Sequence, residues 1–390
     1  MEDLLVNNIS KKVLFYIVRY IIPLIIKKQN DKIIFVKENS SGCNATALYN
    51  WGNQNDVKYD LELFHHYTYD NSNLLSYIKK LTKLSKAKLI ITTHGTIGLR
   101  GRLEINTWHS VHLKATGVME NPTNSFKAPI SWQRVNYLLS YSTFYTTTMN
   151  ACFVTNPNKF KITGMPRNDL LFTSNGRKNI EKVLKKDLND KKLIFFMPTF
   201  RMGYSSNQGN KNFMNLFGFD NFNEEDFNEY LVKNDIILVY KLHPNEEPYL
   251  DKYTNGLNSE YSLNLSDKLI LDAELDLYDV LNSCDLLMTD YSGIYFDYLL
   301  LDRPVVFLPV DLEDYKKSRG FLYEPYEEWT PGPKVIEQND LQEKILKILN
   351  DKSFYEKDRR RLKKIIHKYD DHKSSQRIWN FIDSIIKEGK

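Results

Sequence analysis

The second half of the chain is written in short apolar runs that each end in a polar cluster. "KLIFFMP" (192–198), "DIILVYKLHP" (235–244), "KLILD" (268–272), "CDLLMTD" (284–290) and "RPVVFLP" (303–309) each predict a buried strand. Strands apolar on both faces suit a parallel sheet covered by helices on either side. The span 276–309 predicts a βαβ unit: helix "DLYDVLNS", strand, tight turn, helix "GIYFDYLLLD", strand. The first half repeats the scheme with weaker signals. "KIIFV" (32–36), "KLIITT" (88–93) and "ACFVT" (151–155) predict strands, and a further strand-like segment ends at Trp108 and His109. A Tyr-rich stretch around 134–149 predicts a helix, and the charged segment 173–192 predicts a linker. Alternating strands and helices predict an α/β protein with two Rossmann-like domains facing across a cleft. The expected units are 29–185 and 186–390, the second closed by charged C-terminal helices, with residues 1–28 forming a separate apolar helix.

Length agrees with this division, because 390 residues exceed one ordinary core and fit two. A net charge of +4 is too mild for a nucleic-acid protein and suits an anionic substrate or a membrane surface. Cys43, Cys152 and Cys284 have no metal-ligand spacing and predict reduced, buried thiols in a cytosolic protein. The apolar run Val13–Ile26, flanked by Lys11, Lys12, Lys27 and Lys28, is shorter than the roughly 20 residues a bilayer needs. It predicts either a buried helix or one lying in the membrane interface with its lysines on anionic headgroups.

Four polar clusters fall where strands end, the place at which open α/β sheets bind ligands. In "TDYSGIYFDY" (289–298), Thr289 and Asp290 close a strand, Ser292 is placed to cap the next helix, and Gly293 would admit a ligand to the backbone. In "YKLHPNE" (240–246), Lys241 and His243 stand two apart at a strand end and could hold the charge of a phosphoryl group. "FFMPTFR" (195–201) presents Arg201, suited to bidentate phosphate contact. In "GMPRND" (164–169), Arg167 and Asp169 predict a structural pair at the hinge. Upstream, "WHSVHLKATG" (108–117) offers His109 and His112 as candidate bases beside Ser110 and Lys114, with a faint echo at His94 in "TTHGTIG". No Walker loop, GxGxxG, GxSxG or HExxH is present, and no acidic pair is placed for Mg²⁺. A metal-free, cofactor-free phosphate chemistry of His, Lys, Arg and helix termini is the expectation.

Together these clusters resemble the CDP-glycerol glycerophosphotransferases that build teichoic acids and related capsule polymers in bacteria. That family carries W-H-G-T-P-L-K-x-x-G, and "WHSVHLKATG" matches its Trp, His, Leu, Lys and Gly. "MPRND", "MPTFR", "KLHP", "TDYSGIYFD", "SRG" (318–320) and "PGP" (331–333) follow in the family's order, so the resemblance spans about residues 85–370. The sequence departs from the pattern at Ser110, Val111 and His112, and Gly293 stands where a second Ser is usual.

The resemblance implies a GT-B-type fold and transfer of glycerol phosphate from a CDP-glycerol donor, a substrate rather than a cofactor, with release of CMP. It selects His109 as the base for an acceptor hydroxyl, and leaves His112 and His94 with little to do. It assigns His243, Arg201, Lys241, Thr289, Asp290, Ser292, Gly293, Ser318 and Arg319 to the donor phosphates, and Ser110 and Lys114 to the acceptor side. The implied partners are a CDP-polyol donor, a polyprenyl-diphosphate-linked saccharide and the cytoplasmic membrane surface, which favours the interfacial reading of residues 13–26. CDP-ribitol as donor, or a GT-B glycosyltransferase of cell-surface polysaccharide, are the alternatives.

Overall fold

A computed structural model describes residues 2–38, 41–69, 72–120, 131–201, 214–244 and 246–388. Asn245 of the "YKLHPNE" cluster lies outside them. Eleven strands form among the described residues: β1 (Lys32–Lys37), β2 (Asp60–His65), β3 (Leu89–Thr92), β4 (Leu103–Asn106), β5 (Tyr137–Ser140), β6 (Phe160–Ile162), β7 (Lys192–Phe196), β8 (Ile236–Tyr240), β9 (Ser262–Asn264), β10 (Leu286–Thr289) and β11 (Val305–Phe307). They make two wholly parallel sheets, ordered β2-β1-β3-β4-β5-β6 and β11-β10-β7-β8-β9. The second sheet has the Rossmann strand order, whereas the first has the flavodoxin-like one, so only one half is Rossmann-like in the strict sense. In each sheet the order reverses at one point, between β1 and β3 in the first and between β7 and β10 in the second. Loops at these two switch points are among those that meet between the domains.

Two expected strands are not strands. "KLILD" lies in a helix, Asp267–Asp272, whose N-terminus is capped by the Ser266 hydroxyl accepting from the Leu269 amide at 3.3 Å. The strand of that region is β9, a few residues earlier. "ACFVT" lies at the end of a helix, Thr143–Phe153, started by Ser142 and stopped at Val154 in left-handed geometry (φ +50°). Short apolar runs do not distinguish a strand from a buried helix turn, and here the caps decided. The Tyr-rich stretch correspondingly opens with β5 and turns helical only at Thr143.

The domains share one core. A single cluster of buried side chains includes Phe35, Ile105 and Tyr141 of the first half and Tyr278, Tyr291 and Phe296 of the second. Arg167 and Asp169 do not pair with each other. Arg167 reaches Asp297 at 2.6 Å, and Asn168 and the Tyr278 hydroxyl complete that carboxylate at 3.0 and 2.6 Å. Burial pushes the Asp297 carboxyl up, but Arg167, His367 and these hydrogen bonds outweigh it and hold its pKa below the ordinary value. Asp169 instead accepts from the amides of Ser374 and Ser375 at 2.9 and 2.7 Å, a carboxylate at a helix N-terminus. That helix, Ser374–Lys387, returns the chain to the first sheet, where Trp379 stacks on Tyr59 and donates to the Leu48 carbonyl. All three cysteines are buried and unpaired.

The N-terminal helix, Glu2–Ile25, packs one face on the first domain and leaves the other exposed. Val18 and Ile22 pack on the core that contains Ile34, Val36 and Leu81, and Phe15 meets Tyr77 at 4.9 Å. Its other face leaves Tyr16, Ile17, Ile21, Leu24 and Ile25 exposed, Leu24 and Ile25 by 63% and 70%. Among the described residues, no helix is long and apolar enough to cross a membrane.

Candidate active site

The first domain contributes the loop after β4. Asn106 anchors it, donating to Thr92 Oγ1 and the Gly95 carbonyl and accepting from the Trp108 amide at 2.8 Å. Trp108 then adopts φ +52°, a conformation rare for a bulky side chain and one that clusters at functional sites. Its indole packs edge-on against Trp132 and Phe153. His109 follows directly, its ring 4.3 Å from that of Trp108 and 5.0 Å from that of His112, which it meets at 87°.

His94, expected to contribute little, lies face to face with His109: the ring centroids are 4.1 Å apart and the planes differ by 4°. It reaches there from the end of β3, at the first sheet's switch point. Its Nδ1 is 2.8 Å from the Thr93 hydroxyl, and its loop is pinned by buried Glu104, which accepts from the Ile97 and Gly98 amides. The sequence carried one usable signal for His94, its position immediately after a strand, but nothing in its spacing from His109 reports a stack.

Three imidazoles in one cluster exclude one another's charge. Burial holds the His109 pKa well below the ordinary value, and His94, His112, Arg167 and Lys114 add to the effect. His112 is lowered for the same reasons, burial first, and His94 is brought down to about 4 by burial and Arg167. His109 is therefore neutral at physiological pH. Its Nδ1 is buried without a hydrogen-bond partner, so ring stacking rather than a carboxylate orients it. His112 is buried too, with its Nε2 3.4 Å from Ser110 Oγ.

Lys114 extends the cluster toward the second domain. Its ammonium lies over the Phe200 ring at 5.8 Å, and Phe200 packs on His243 at 4.4 Å. Burial lowers the Lys114 pKa to about 8, with Arg319 and Arg201 lowering it and Asp290 and Glu120 opposing. Among the described residues no carboxylate pairs with Lys114 directly, so an arriving anion would find an uncompensated cation. His243 stands at the exposed rim, its pKa lowered by local packing, Lys114 and Lys241, with Asp267 opposing.

Several residues expected at the phosphates are otherwise engaged. Arg201 is buried with its guanidinium between Asp311 at 2.8 Å and Asp290 at 2.9 Å, over the rings of Tyr291 and Tyr315. Lys241 is buried against Asp267 at 2.6 Å. Thr289 donates to the Met197 carbonyl, and Asp290 accepts from the Thr199 and Tyr291 amides, so these residues shape the β7 and β10 loops. Arg319 crosses to the first domain, donating to the Ala115 carbonyl and pairing with Glu120 at 2.6 Å. Ser318 donates to the Tyr315 carbonyl at 3.3 Å. Around them "SRG" and "HLKATG" join as an antiparallel bridge, Lys114 opposite Phe321, with Ala115 donating to Gly320 and Leu322 to Leu113.

The turn at Ser292 differs from expectation in two ways. The helix begins at Ile294 with Gly293 at its cap, and no side chain caps it, so Ser292 is not the N-cap. Gly293 admits a backbone rather than a ligand: a Cβ there would meet the Val111 carbonyl oxygen at 2.1 Å. A cavity of about 1000 Å³ beside Asp220, Asn223, Asp226 and Gln338 is lined by none of these residues. Volume does not locate this site; the convergence of the loops after β3 and β4 with those after β7, β8 and β10 does.

Two parallel α/β domains meeting through their strand-end loops make a GT-B-type fold. A sequence profile of the CDP-glycerol:poly(glycerophosphate) glycerophosphotransferases matches residues 16–384, and the chain belongs to that family. It is thus an enzyme of teichoic-acid type, moving glycerol phosphate from CDP-glycerol. The teichoic acid poly(glycerol phosphate) polymerase of Bacillus spizizenii is 27% identical, the match covering 84% of this chain and 88% of the relative. The teichoic acid ribitol-phosphate primase of the same organism is 30% identical over 58% of this chain and 53% of the relative. Among solved structures, the wall teichoic acid polymerase TagF, in an H444N variant soaked with CDPG, superposes with a TM-score of 0.74 at 20% identity, covering 98% of both chains.

Proposed function

We propose that His109 is the general base of the transfer, removing the proton of an acceptor hydroxyl as that oxygen attacks the β-phosphorus of CDP-glycerol. The new P–O bond forms as the bond to the CMP oxygen breaks, and CMP leaves with the electron pair. The observation that carries this reading is the His109 ring, neutral, held between Trp108 and His94 where the first domain's loop meets the second. A base has to be unprotonated before the reaction and close to its working pKa during it. The cations around His109 lower its proton affinity in the empty site. A bound diphosphate offsets those charges, so the base strengthens once the donor has arrived.

Lys114 and His243, on either side of Phe200, are placed to hold the charge that develops on the leaving phosphate. Arg201, Lys241, Thr289 and Asp290 act as positioning residues, because their charged or polar atoms are already paired within the protein. Ser292, Gly293, Ser318 and Arg319 form the turns that close the domains on the donor, and Ser110 lies on the acceptor side. The acceptor is a lipid-linked saccharide at the cytoplasmic membrane face, on which the exposed apolar side of the N-terminal helix would rest. Incubation with CDP-glycerol, CDP-ribitol or a UDP-sugar and a polyprenyl-diphosphate-linked acceptor, scoring nucleotide release, tests the reading. The ribitol arm matters because several relatives, the primase among them, bear ribitol-phosphate names. CMP release only from CDP-glycerol, lost in His109→Ala, is expected; UDP release in its place would overturn it.

A further inference from the structure

A second basic site lies away from the donor loops. Arg19, Tyr20, Arg100, Arg102, Arg134 and Asn136 line a pocket of about 310 Å³ between the N-terminal helix and the loop before β4. None of the four arginines makes an ion pair among the described residues. Arg102 donates to the carbonyls of Ser85, Pro23 and Ile26, which fixes the end of the helix while leaving its charge uncompensated. Arg134 donates to the Tyr16 and Tyr20 hydroxyls, and Arg19 to the Ile97 carbonyl. Arg100 is exposed. Glu104, buried beneath them, spends its oxygens on Thr92, Ile97 and Gly98. Four cations against one buried carboxyl leave a strong anion preference in a small volume.

The pocket borders the exposed apolar face of the helix, and Tyr20 belongs to both. Chain connectivity ties it to the catalytic cluster: Gly98, on its wall, follows His94 by four residues, at most about 14 Å of extended chain. We infer that this pocket binds the diphosphate of a lipid-linked acceptor, with the hydrocarbon chain lying along Ile17, Ile21 and Leu24. Its excess charge suits a diphosphate better than a singly charged phosphodiester, and its closeness to His94 keeps the linked saccharide near His109. The assignment to the acceptor rests on the transferase reading above.

The test uses the whole protein and phosphatidylcholine vesicles containing a small fraction of polyprenyl diphosphate, or the same fraction of phosphatidylglycerol, with co-sedimentation as readout. Polyprenyl diphosphate should strengthen binding about tenfold over phosphatidylglycerol, and inorganic pyrophosphate should compete for it. Arg100→Gln, at an exposed position that leaves the helix contacts intact, and Arg134→Gln should each remove most of that gain and raise KM for the lipid acceptor. Variants that bind as wild type, or wild-type protein without preference for the diphosphate lipid, overturn the inference. Wild-type protein that binds the diphosphate vesicles yet releases no CMP from CDP-glycerol leaves the pocket standing and defeats the transferase reading instead.

Discussion

Gly293 has φ −69° and ψ −6°, right-handed geometry that alanine adopts without strain. Gly293→Ala should therefore cost nothing locally, and by restricting the unfolded chain could even stabilise the turn by about 0.4–1 kcal/mol. The obstacle is across the interface. The new methyl would sit 2.1 Å from the Val111 carbonyl oxygen, where ordinary contact begins at 3.4 Å. That oxygen is backbone and has no rotamer to change, so the loop Ser110–His112 has to retreat by roughly 1.3 Å. Overpacking of this kind costs about 1–3 kcal/mol. The larger effect falls on catalysis, since the displaced segment begins one residue after His109, and a 1 Å misplacement costs about 100-fold. CMP release from CDP-glycerol with a lipid-linked acceptor, alongside thermal unfolding, measures both. We expect kcat/KM to fall about 100-fold with a small change in Tm. A Gly293→Ala enzyme within twofold of wild type would refute the claim that the domains meet productively at this contact.

His109→Ala should lose about 10²- to 10⁴-fold in transfer while still binding CDP-glycerol, measured by calorimetry; normal turnover would remove His109 from the mechanism. His94→Ala takes away the stacked ring and should cost about tenfold, whereas His94→Phe should recover part of it; equal damage from both would point to a chemical role for His94. Protonation disables the base and its pKa is lowered, so the acid limb of kcat/KM should lie below the ordinary histidine value of about 6.5. The limb of kcat, which reports the donor complex, should lie higher, and the reverse order would contradict the charge argument. Asp297→Asn leaves Arg167 buried without its counter-charge and should cost about 3–5 kcal/mol in urea unfolding; an unchanged midpoint would show that the pair is dispensable.

Much of the architecture was legible because parallel strands buried on both faces need unbroken apolar runs. β3, β7, β8, β10 and β11 fall within runs read directly from the chain, and β1 overruns its run by one residue. β2, which escaped notice, carries exposed and half-buried positions at the sheet edge, where one side faces solvent. The false strand at 268–272 rested on three consecutive apolar residues, a run too short to distinguish helix from strand.

For the site, residue identity was legible and residue employment was not. The chain by itself determined that imidazole, ammonium and guanidinium groups stand after strands, because motif spacing is a property of the backbone in one dimension. It could not determine which cations are already neutralised. Arg201 and Lys241 look as available as Lys114 in the sequence, yet Asp311 and Asp267, 110 and 26 residues downstream, take up the first two. Nor could it show that His94 stacks on His109, that Val111 rests on Gly293, or that four arginines from three segments surround one pocket. Each of these is a meeting of chain segments brought together only when the two sheets and the returning helices pack. Charge acts through space over a few ångströms regardless of sequence separation, and that is why tertiary structure alone assigned the work.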